Sequence, residues 1–159
     1  MSTAGTLAFE RQQAGTLAAR LNEPRRFLQV VAGARQVGKT TLVGQVLSHL
    51  DIPSDEPGVG DAAWLAAQWE RGRLTAADAG KVGAVLVLDE VQKIPRWSET
   101  VKRLWDEDSR ARRSLKVVLL GSAPLLMQQG LTESLAGRFE AVHLPHWSFA
   151  EMRAAFGFS

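Results

Sequence analysis

The stretch Phe27-Leu-Gln-Val-Val-Ala32, followed at once by Gly33-Ala-Arg-Gln-Val-Gly38-Lys39-Thr40, decides the fold. Its first six residues form an apolar run of the kind found in strands that are buried on both faces. The next eight match the spacing G-x-x-x-x-G-K-[ST], and a segment of helical periodicity follows. The glycines permit a turn in which successive N–H groups point inward at a helix N-terminus, where partial positive charge lies. The stretch therefore predicts a binding site for a triphosphate.

Within this motif, the side chains with chemistry have separate predicted roles. Lys39 reaches the β- and γ-phosphates, Thr40 ligates Mg²⁺ through its hydroxyl, and Thr41 contacts the α-phosphate. The alternative is a glycine-rich turn that ends in a solvated lysine. The predicted ligand is a nucleoside triphosphate with Mg²⁺, and the predicted nucleotide-binding residues are Gly33, Ala34, Arg35, Gln36, Val37, Gly38, Lys39, Thr40 and Thr41.

A second motif, Val85-Leu-Val-Leu-Asp89-Glu90, is an apolar strand that ends in two acids. A parallel strand delivers its C-terminal residues to the sheet edge where ligands bind. Asp89 is predicted to hold Mg²⁺ through water, and Glu90 to polarise the attacking water as general base. A strand that ends in a solvated acidic turn is the alternative, but the phosphate-binding motif upstream favours the catalytic interpretation.

A third apolar run, Val117-Val-Leu-Leu120, leads into Gly121 and Ser122. Ser122 is predicted to reach the same sheet edge, where its hydroxyl orients the lytic water or contacts the γ-phosphate. A serine that begins a turn before Pro124 is an equal alternative.

Apolar runs and helical segments alternate along the chain, which predicts a three-layer α/β domain with a parallel sheet. The strands are expected at residues 27–32, 82–88, 117–120 and 141–144, with a possible edge strand at 50–54. Helices are expected at residues 40–50 and 61–71, the second with Asp61 as its N-cap. The remaining signals are a helical stripe of Trp97, Val101, Leu104 and Trp105, and a capping box at Ser148 and Glu151 with Trp147 and Met152 as its hydrophobic staple.

These motifs resemble the additional-strand P-loop ATPases of the AAA type. More narrowly, the chain is similar to the ATPase half of a bacterial and archaeal ATP-binding family whose members carry a C-terminal domain of unknown function. The matching stretches are Gly33-Ala-Arg-Gln-Val-Gly-Lys-Thr-Thr41, Leu88-Asp-Glu-Val-Gln-Lys-Ile-Pro95, Leu120-Gly-Ser-Ala123, Glu133-Ser-Leu-Ala-Gly-Arg138, Leu144-Pro145 and Ser148-Phe-Ala-Glu151.

The resemblance implies a strand order of 5-1-4-3-2. It makes Ser122 similar to sensor-1, a position more often filled by Asn, and Arg138 similar to an arginine finger that acts from a neighbouring subunit. The alternative for Arg138 is a surface arginine paired with Glu133 or Glu140. Members of this class continue into a helical lid, so residues 1–159 are expected to form one ATPase core domain without that lid, with ATPase activity in a full-length context.

Composition excludes several other classes. The chain has no Cys and only three His, without a metal-binding spacing, so thiol chemistry and a protein-caged transition metal are not expected. No leader or membrane-spanning run is evident, which favours the cytoplasm. The net charge of +2 is weak evidence for nucleic acid, although basic residues cluster between Lys93 and Lys116. A nucleic-acid-binding switch without efficient turnover, and less so a P-loop kinase, remain alternatives, and a homo-oligomer is a possible assembly.

Overall fold

The computed structural model describes residues 12–33, 42–44, 46, 54–55, 61–80, 83–122, 126 and 134–144. Its helices are α1 (Gln12–Asn22), α2 (Ala62–Ala79) and α3 (Trp97–Ala111), with a short 3₁₀ helix at Val91–Lys93. Its strands are β1 (Leu28–Gly33), β2 (Ser54–Asp55), β3 (Ala84–Asp89), β4 (Leu115–Gly121) and β5 (Phe139–Leu144). The predicted capping box at Ser148 lies outside the described residues.

The five strands form one parallel sheet in the order β5-β1-β4-β3-β2. This order confirms the expected 5-1-4-3-2 arrangement. The edge strand is Ser54–Asp55 and so begins where the predicted segment at residues 50–54 ends. The central strands β1, β3 and β4 are buried almost throughout, which is why their sequences are continuous apolar runs rather than alternating ones.

Alternate residues of the central strands enter two separate cores, one on each face of the sheet. On one face Val30, Leu86 and Leu119 pack in a core with α2 and α3. On the other face Val31 and Val118 pack with α1 and with the helical residues Leu42, Val43 and Val46. The domain therefore has three layers, as the sequence predicts.

Helix α2 starts as expected but ends later. Asp61 is its N-cap and accepts a hydrogen bond of 2.8 Å from the N–H of Trp64. The helix continues to Ala79, eight residues past the predicted end at Arg71, so that boundary is wrong. The reason is packing: a Cβ at Gly72 would lie 3.2 Å from the Leu115 side chain, so the glycine allows close approach to the sheet. Gly80, at φ +65°, ends the helix.

Helix α3 places its apolar stripe in the core. Trp97 and Trp105 are 1% and 3% exposed, and Val101 and Leu104 are buried between them. Neither indole can therefore stack on a nucleotide base, and the prediction of a core stripe is confirmed.

A buried carboxylate joins α2 to α3. Asp108 is fully buried and accepts hydrogen bonds from the Trp69 indole at 2.8 Å, from Arg73 Nε at 2.6 Å and from Arg113 at 2.9 Å. Arg73 also donates to the carbonyl oxygen of Leu104 at 3.1 Å. Since buried charges are tolerated only when they are paired and hydrogen-bonded, this cluster fixes how the two helices sit against each other.

Candidate functional site

The carboxyl ends of three neighbouring strands lie side by side at one end of the sheet. Gly33 ends β1, Gly121 ends β4 and Asp89 ends β3. The register pairs Ala32 with Gly121 and Leu120 with Asp89, so the three ends are nearly level. Neighbouring strands lie about 4.8 Å apart, which puts the ends of β1 and β3 about 10 Å apart across β4. The first residue of the phosphate-binding motif and the acid pair therefore lie at the same end of the sheet.

The phosphate-binding motif has the required strand before it and helical backbone after it. Gly33 is the last residue of β1, and Leu42 and Val43 are buried in helical conformation beyond the motif. The intervening residues, Ala34, Arg35, Gln36, Val37, Gly38, Lys39, Thr40 and Thr41, lie outside the described residues. The strand-to-helix context is the one in which this spacing binds phosphate.

The two acids follow β3 in different backbone conformations. Asp89 is half-buried and still belongs to the strand. Glu90 leaves the strand in the left-handed region, at φ 56° and ψ 37°, and its N–H donates to the carbonyl oxygen of Leu120 at 2.9 Å. For a residue with a side chain this conformation costs roughly 1–2 kcal/mol, and such residues cluster at functional sites.

Gln92 holds the Glu90 carboxylate, a role that was not predicted from the sequence. Its amide Nε2 donates to Glu90 Oε2 at 2.6 Å, and the Lys93 ammonium lies 3.9 Å from the same oxygen. The residue is only 3% exposed. Its Oε1 is buried without a hydrogen-bond partner in the described part of the chain. The signal in the sequence is that Gln92 belongs to the stretch Leu88–Pro95 that matches the resembled family.

Gly121 makes room for this glutamine. A Cβ at position 121 would stand 2.4 Å from Gln92 Oε1 and 3.0 Å from Leu126 Cγ. No side chain fits there unless Gln92 moves. The glycine at the end of β4 is therefore part of the arrangement that sets Glu90.

Ser122 follows Gly121 at the same edge, between the ends of β1 and β3. The residue is half-buried, and its carbonyl oxygen accepts the N–H of Leu126 at 2.9 Å, as at the start of a helical turn. Both predictions for Ser122, a role near the phosphate and the start of a turn, are compatible with this position.

Residues 25–153 match a family model described as an AAA domain. The match spans most of the chain. This protein belongs to the AAA domain family. A search of curated proteins gives no match. Membership makes the chain a nucleotide-binding P-loop domain of the ATPase type.

The AAA domain offers oxygen donors of the kind that Mg²⁺ prefers. Asp89 and Glu90 supply carboxylates at the sheet edge, and Ser122 supplies a hydroxyl there. Among the described residues no group of three or more His, Asp or Glu side chains comes together to cage a metal ion. Since Mg²⁺ is commonly held by one or two carboxylates together with substrate phosphates and water, this sparse donor set fits Mg²⁺ bound with a nucleotide.

Arg138 lies near the amino end of β5, at the opposite end of the sheet from Asp89 and Glu90. It immediately precedes β5, whose register pairs Phe139 with Leu28 and Leu144 with Gly33. At about 3.3 Å per residue, Arg138 is therefore nearly 20 Å from the end of β1. Within one chain, Arg138 therefore does not reach the carboxyl ends of β1 and β3.

Among the described residues the partner of Arg138 is Asp106 of α3, and not Glu140 as the alternative had it; Glu133 lies outside the described residues. Arg138 Nε and Nη2 donate to the two carboxylate oxygens of Asp106 at 2.8 and 3.0 Å. These hydrogen bonds hold the pKa of Asp106 below its usual value. Glu140 instead accepts from Gln29 at 2.9 Å. The two-point geometry available to a planar guanidinium favours Asp106.

No helix in the described segments combines the length and the apolar composition needed to cross a lipid bilayer.

Proposed function

We propose that this AAA domain binds ATP with Mg²⁺ at the carboxyl edge of its sheet and hydrolyses it. The observation that carries the proposal is the level arrangement of the β1 and β3 ends, with only β4 between them. One strand leads into the phosphate-binding motif and the other ends in two carboxylates. A nucleotide held by the first therefore has its terminal phosphates near the second.

The phosphate-binding motif would hold the triphosphate through backbone N–H groups and through Lys39. The Thr40 hydroxyl and, through water, the Asp89 carboxylate would hold Mg²⁺, and Thr41 would contact the α-phosphate. When bound, Mg²⁺ supplies positive charge that offsets the charge on the phosphate oxygens.

Glu90 would act as the general base toward the attacking water. Its backbone is fixed by the hydrogen bond to Leu120, and its carboxylate is held by Gln92. Ser122 lies at the end of the intervening strand and would orient the water or contact the γ-phosphate. Gln92 is thus a positioning residue in this scheme, because it acts through Glu90.

Arg138 would act on the nucleotide of a neighbouring subunit. Because Arg138 is nearly 20 Å from the carboxyl end of β1 in its own chain, it can reach a nucleotide only in a neighbouring subunit. To act, it must leave Asp106, with which it forms two hydrogen bonds. A homo-oligomer is therefore part of the proposal.

Calorimetric titration of Mg-ATP into the 159-residue chain tests the binding step. Lys39→Ala should abolish binding, whereas Lys102→Ala, which removes an exposed lysine from α3, should leave it unchanged. Binding that survives in Lys39→Ala would contradict the assignment of the motif, as would the absence of binding in every protein tested.

Steady-state hydrolysis measurements test the chemical step. Glu90→Gln should retain Mg-ATP binding and lose turnover by about 10²-fold or more, as expected for removal of a general base. Glu99→Gln removes an exposed acid of α3 and serves as the control. Turnover that is unchanged in Glu90→Gln would mean that another residue is the base.

A further inference from the structure

A basic groove lies near the amino ends of β1 and β4, whereas the proposed nucleotide site lies at the carboxyl ends of the strands. It has a volume of about 600 Å³. Its wall comes from the segment before β1, from the end of α3 and from the start of β4. Eight residues line it, of which five are cationic and none is acidic: Arg25, Arg26, Arg112, Arg113 and Lys116, with Pro24, Ser109 and Ser114.

This concentration of charge is a local feature rather than a property of the whole chain. The chain carries a net charge of only +2, so without these five side chains the remainder would be net negative. Lys116 is at the start of β4 and Ser122 follows its end. The groove is therefore about 20 Å from the carboxyl end of the sheet, where the nucleotide is proposed to bind. The groove is therefore distinct from the proposed ATP site.

Two of the cations are exposed and make no ion pair with any described residue. The Arg26 guanidinium lies 4.8 Å above the Phe27 ring, and Arg112 is the left-handed residue that caps α3. Arg113 is exposed and pairs with Asp108 at 2.9 Å, a carboxylate that it shares with Arg73.

The other two cations are partly buried and are held by neutral groups. Arg25 lies 3.4 Å above the Trp105 ring and donates to the carbonyl oxygens of Leu115 and Trp105 and to the Ser109 hydroxyl. Burial lowers the pKa of Arg25 to about 10, despite the opposing effect of Asp108 and Asp106, and also lowers the pKa of Lys116, which donates to the Leu21 carbonyl oxygen, despite the opposing effect of Glu23. Both cations have lost solvation that carboxylates do not fully replace, and an anion in the groove would restore it.

We propose that this groove binds the phosphodiester backbone of a nucleic acid. Four of its five cations are arginines, whose planar guanidinium matches phosphate oxygens in two-point geometry. Their spread over three chain segments suits a row of phosphates rather than a single anion. Among the described residues the only large hydrophobic side chain that is exposed is Leu74, on α2, so the groove has no apolar side chain to insert into a lipid surface.

The test is fluorescence anisotropy of the full chain with a labelled 20-nucleotide single strand and with the matching duplex, without ATP, at 50 to 200 mM salt. The variant Arg26→Ala/Arg112→Ala removes the two exposed cations without breaking an ion pair to a described residue. Its affinity should fall about tenfold or more. The slope of log K against log salt should become shallower by about 1.4 to 1.8, the value for two lost phosphate contacts.

The matched control is Arg71→Ala/Arg103→Ala, which removes two exposed arginines outside the groove. It should bind within about twofold of the unmodified chain, and coincident thermal unfolding curves establish that both variants are folded. An equal loss of affinity in both variants would overturn the proposal, as would no binding of either oligonucleotide at 50 mM salt. Tighter binding of poly-glutamate than of either oligonucleotide at equal charge would also overturn it, because the groove would then prefer an acidic polypeptide.

Discussion

The side-chain amide of Gln92 donates a 2.6 Å hydrogen bond to the carboxylate of Glu90. The glutamine is buried, and its own oxygen is confined against the backbone of Gly121. Hydrogen bonds to a charged acceptor are stronger than those between neutral groups, so this contact restricts where the carboxylate can stand. The end of β4 thereby restricts the position of the Glu90 side chain, which follows β3.

Gln92→Ala tests this contact in the proposed ATPase. We expect kcat to fall about tenfold with little change in KM for ATP, because the variant frees Glu90 without touching the phosphate-binding motif. Gln92→Glu should lower kcat further, since it places a second carboxylate beside the first. The control is Gln68→Ala, which alters a glutamine on α2 whose side-chain oxygen accepts a hydrogen bond from Arg71, away from the candidate site. A kcat equal to that of the unmodified chain would show that the hydrogen bond does not serve catalysis.

Gly121→Ala should disturb both stability and the position of Gln92. The new Cβ would lie 2.4 Å from Gln92 Oε1, so we expect a loss of about 1–3 kcal/mol in the free energy of unfolding, as for other overpacked sites. Urea unfolding measures this loss. Gly15→Ala, on α1 where a Cβ meets nothing within 4 Å, should instead stabilise the chain by up to about 1 kcal/mol. Equal midpoints for the two variants would contradict the close contact at Gly121.

Asp108→Ala should be the most destabilising of these substitutions. It leaves Arg73 and Arg113 without their shared carboxylate and leaves the buried Trp69 indole without its acceptor. Breaking a buried pair in this way costs about 3–5 kcal/mol, which denaturant unfolding will resolve. Asp78→Ala, at an exposed position of α2, should stay within about 0.5 kcal/mol of the unmodified chain. A small effect at Asp108 would mean that the cluster does not hold α2 against α3.

The ion pair of Asp106 with Arg138 should give a pH-dependent contribution to stability. The pKa of Asp106 is lowered in the folded state, mainly by the hydrogen bonds from Arg138. The unfolded state therefore binds more protons at low pH. The contribution is present above the ordinary Asp pKa of about 4 and is lost as the pH falls through the lowered value.

Arg138→Leu should consequently unfold more easily than the unmodified chain at pH 6, by no more than about 1 kcal/mol for a pair at the surface. The two unfolding free energies should approach each other as the pH falls below about 4 and converge below the lowered pKa of Asp106. Arg26→Leu, which removes an exposed arginine that makes no ion pair with a described residue, is the control and should show no such convergence. A difference that stays constant from pH 6 to pH 2 would exclude Asp106 as its source.

The strands were predictable because burial on both faces leaves a continuous apolar run, as in β1 and β3. The strand order came with the family resemblance and not from the runs themselves. The end of α2 was not predictable, since Gly72 is a packing residue there and its role depends on Leu115, which comes more than forty positions later. Helix α1 was also missed, although Ala14, Leu17, Ala18 and Leu21 follow helical spacing and are wholly or mostly buried.

The candidate site was predictable only where one short stretch carries the chemistry. Two local patterns predict the site: the spacing from Gly33 to Thr40, and the pair Asp89 and Glu90 at the end of an apolar strand. The contact of Gln92 with Gly121 joins two strand ends, and the pairing of Arg138 with Asp106 spans 32 positions. Such contacts are set by the folded chain, and no local pattern encodes them.

The position of β1 in the sheet has a consequence for synthesis of the chain. Both neighbours of this strand, β4 and β5, are encoded about 90 and 110 residues later, so its two edges have no partner while the middle of the chain is being made. At about 5–20 residues per second, the wait for β4 alone is roughly 5–20 s. We therefore expect α2 and α3 to exist on the ribosome before β1 is paired, and the nascent chain to expose an unpaired apolar strand during that interval.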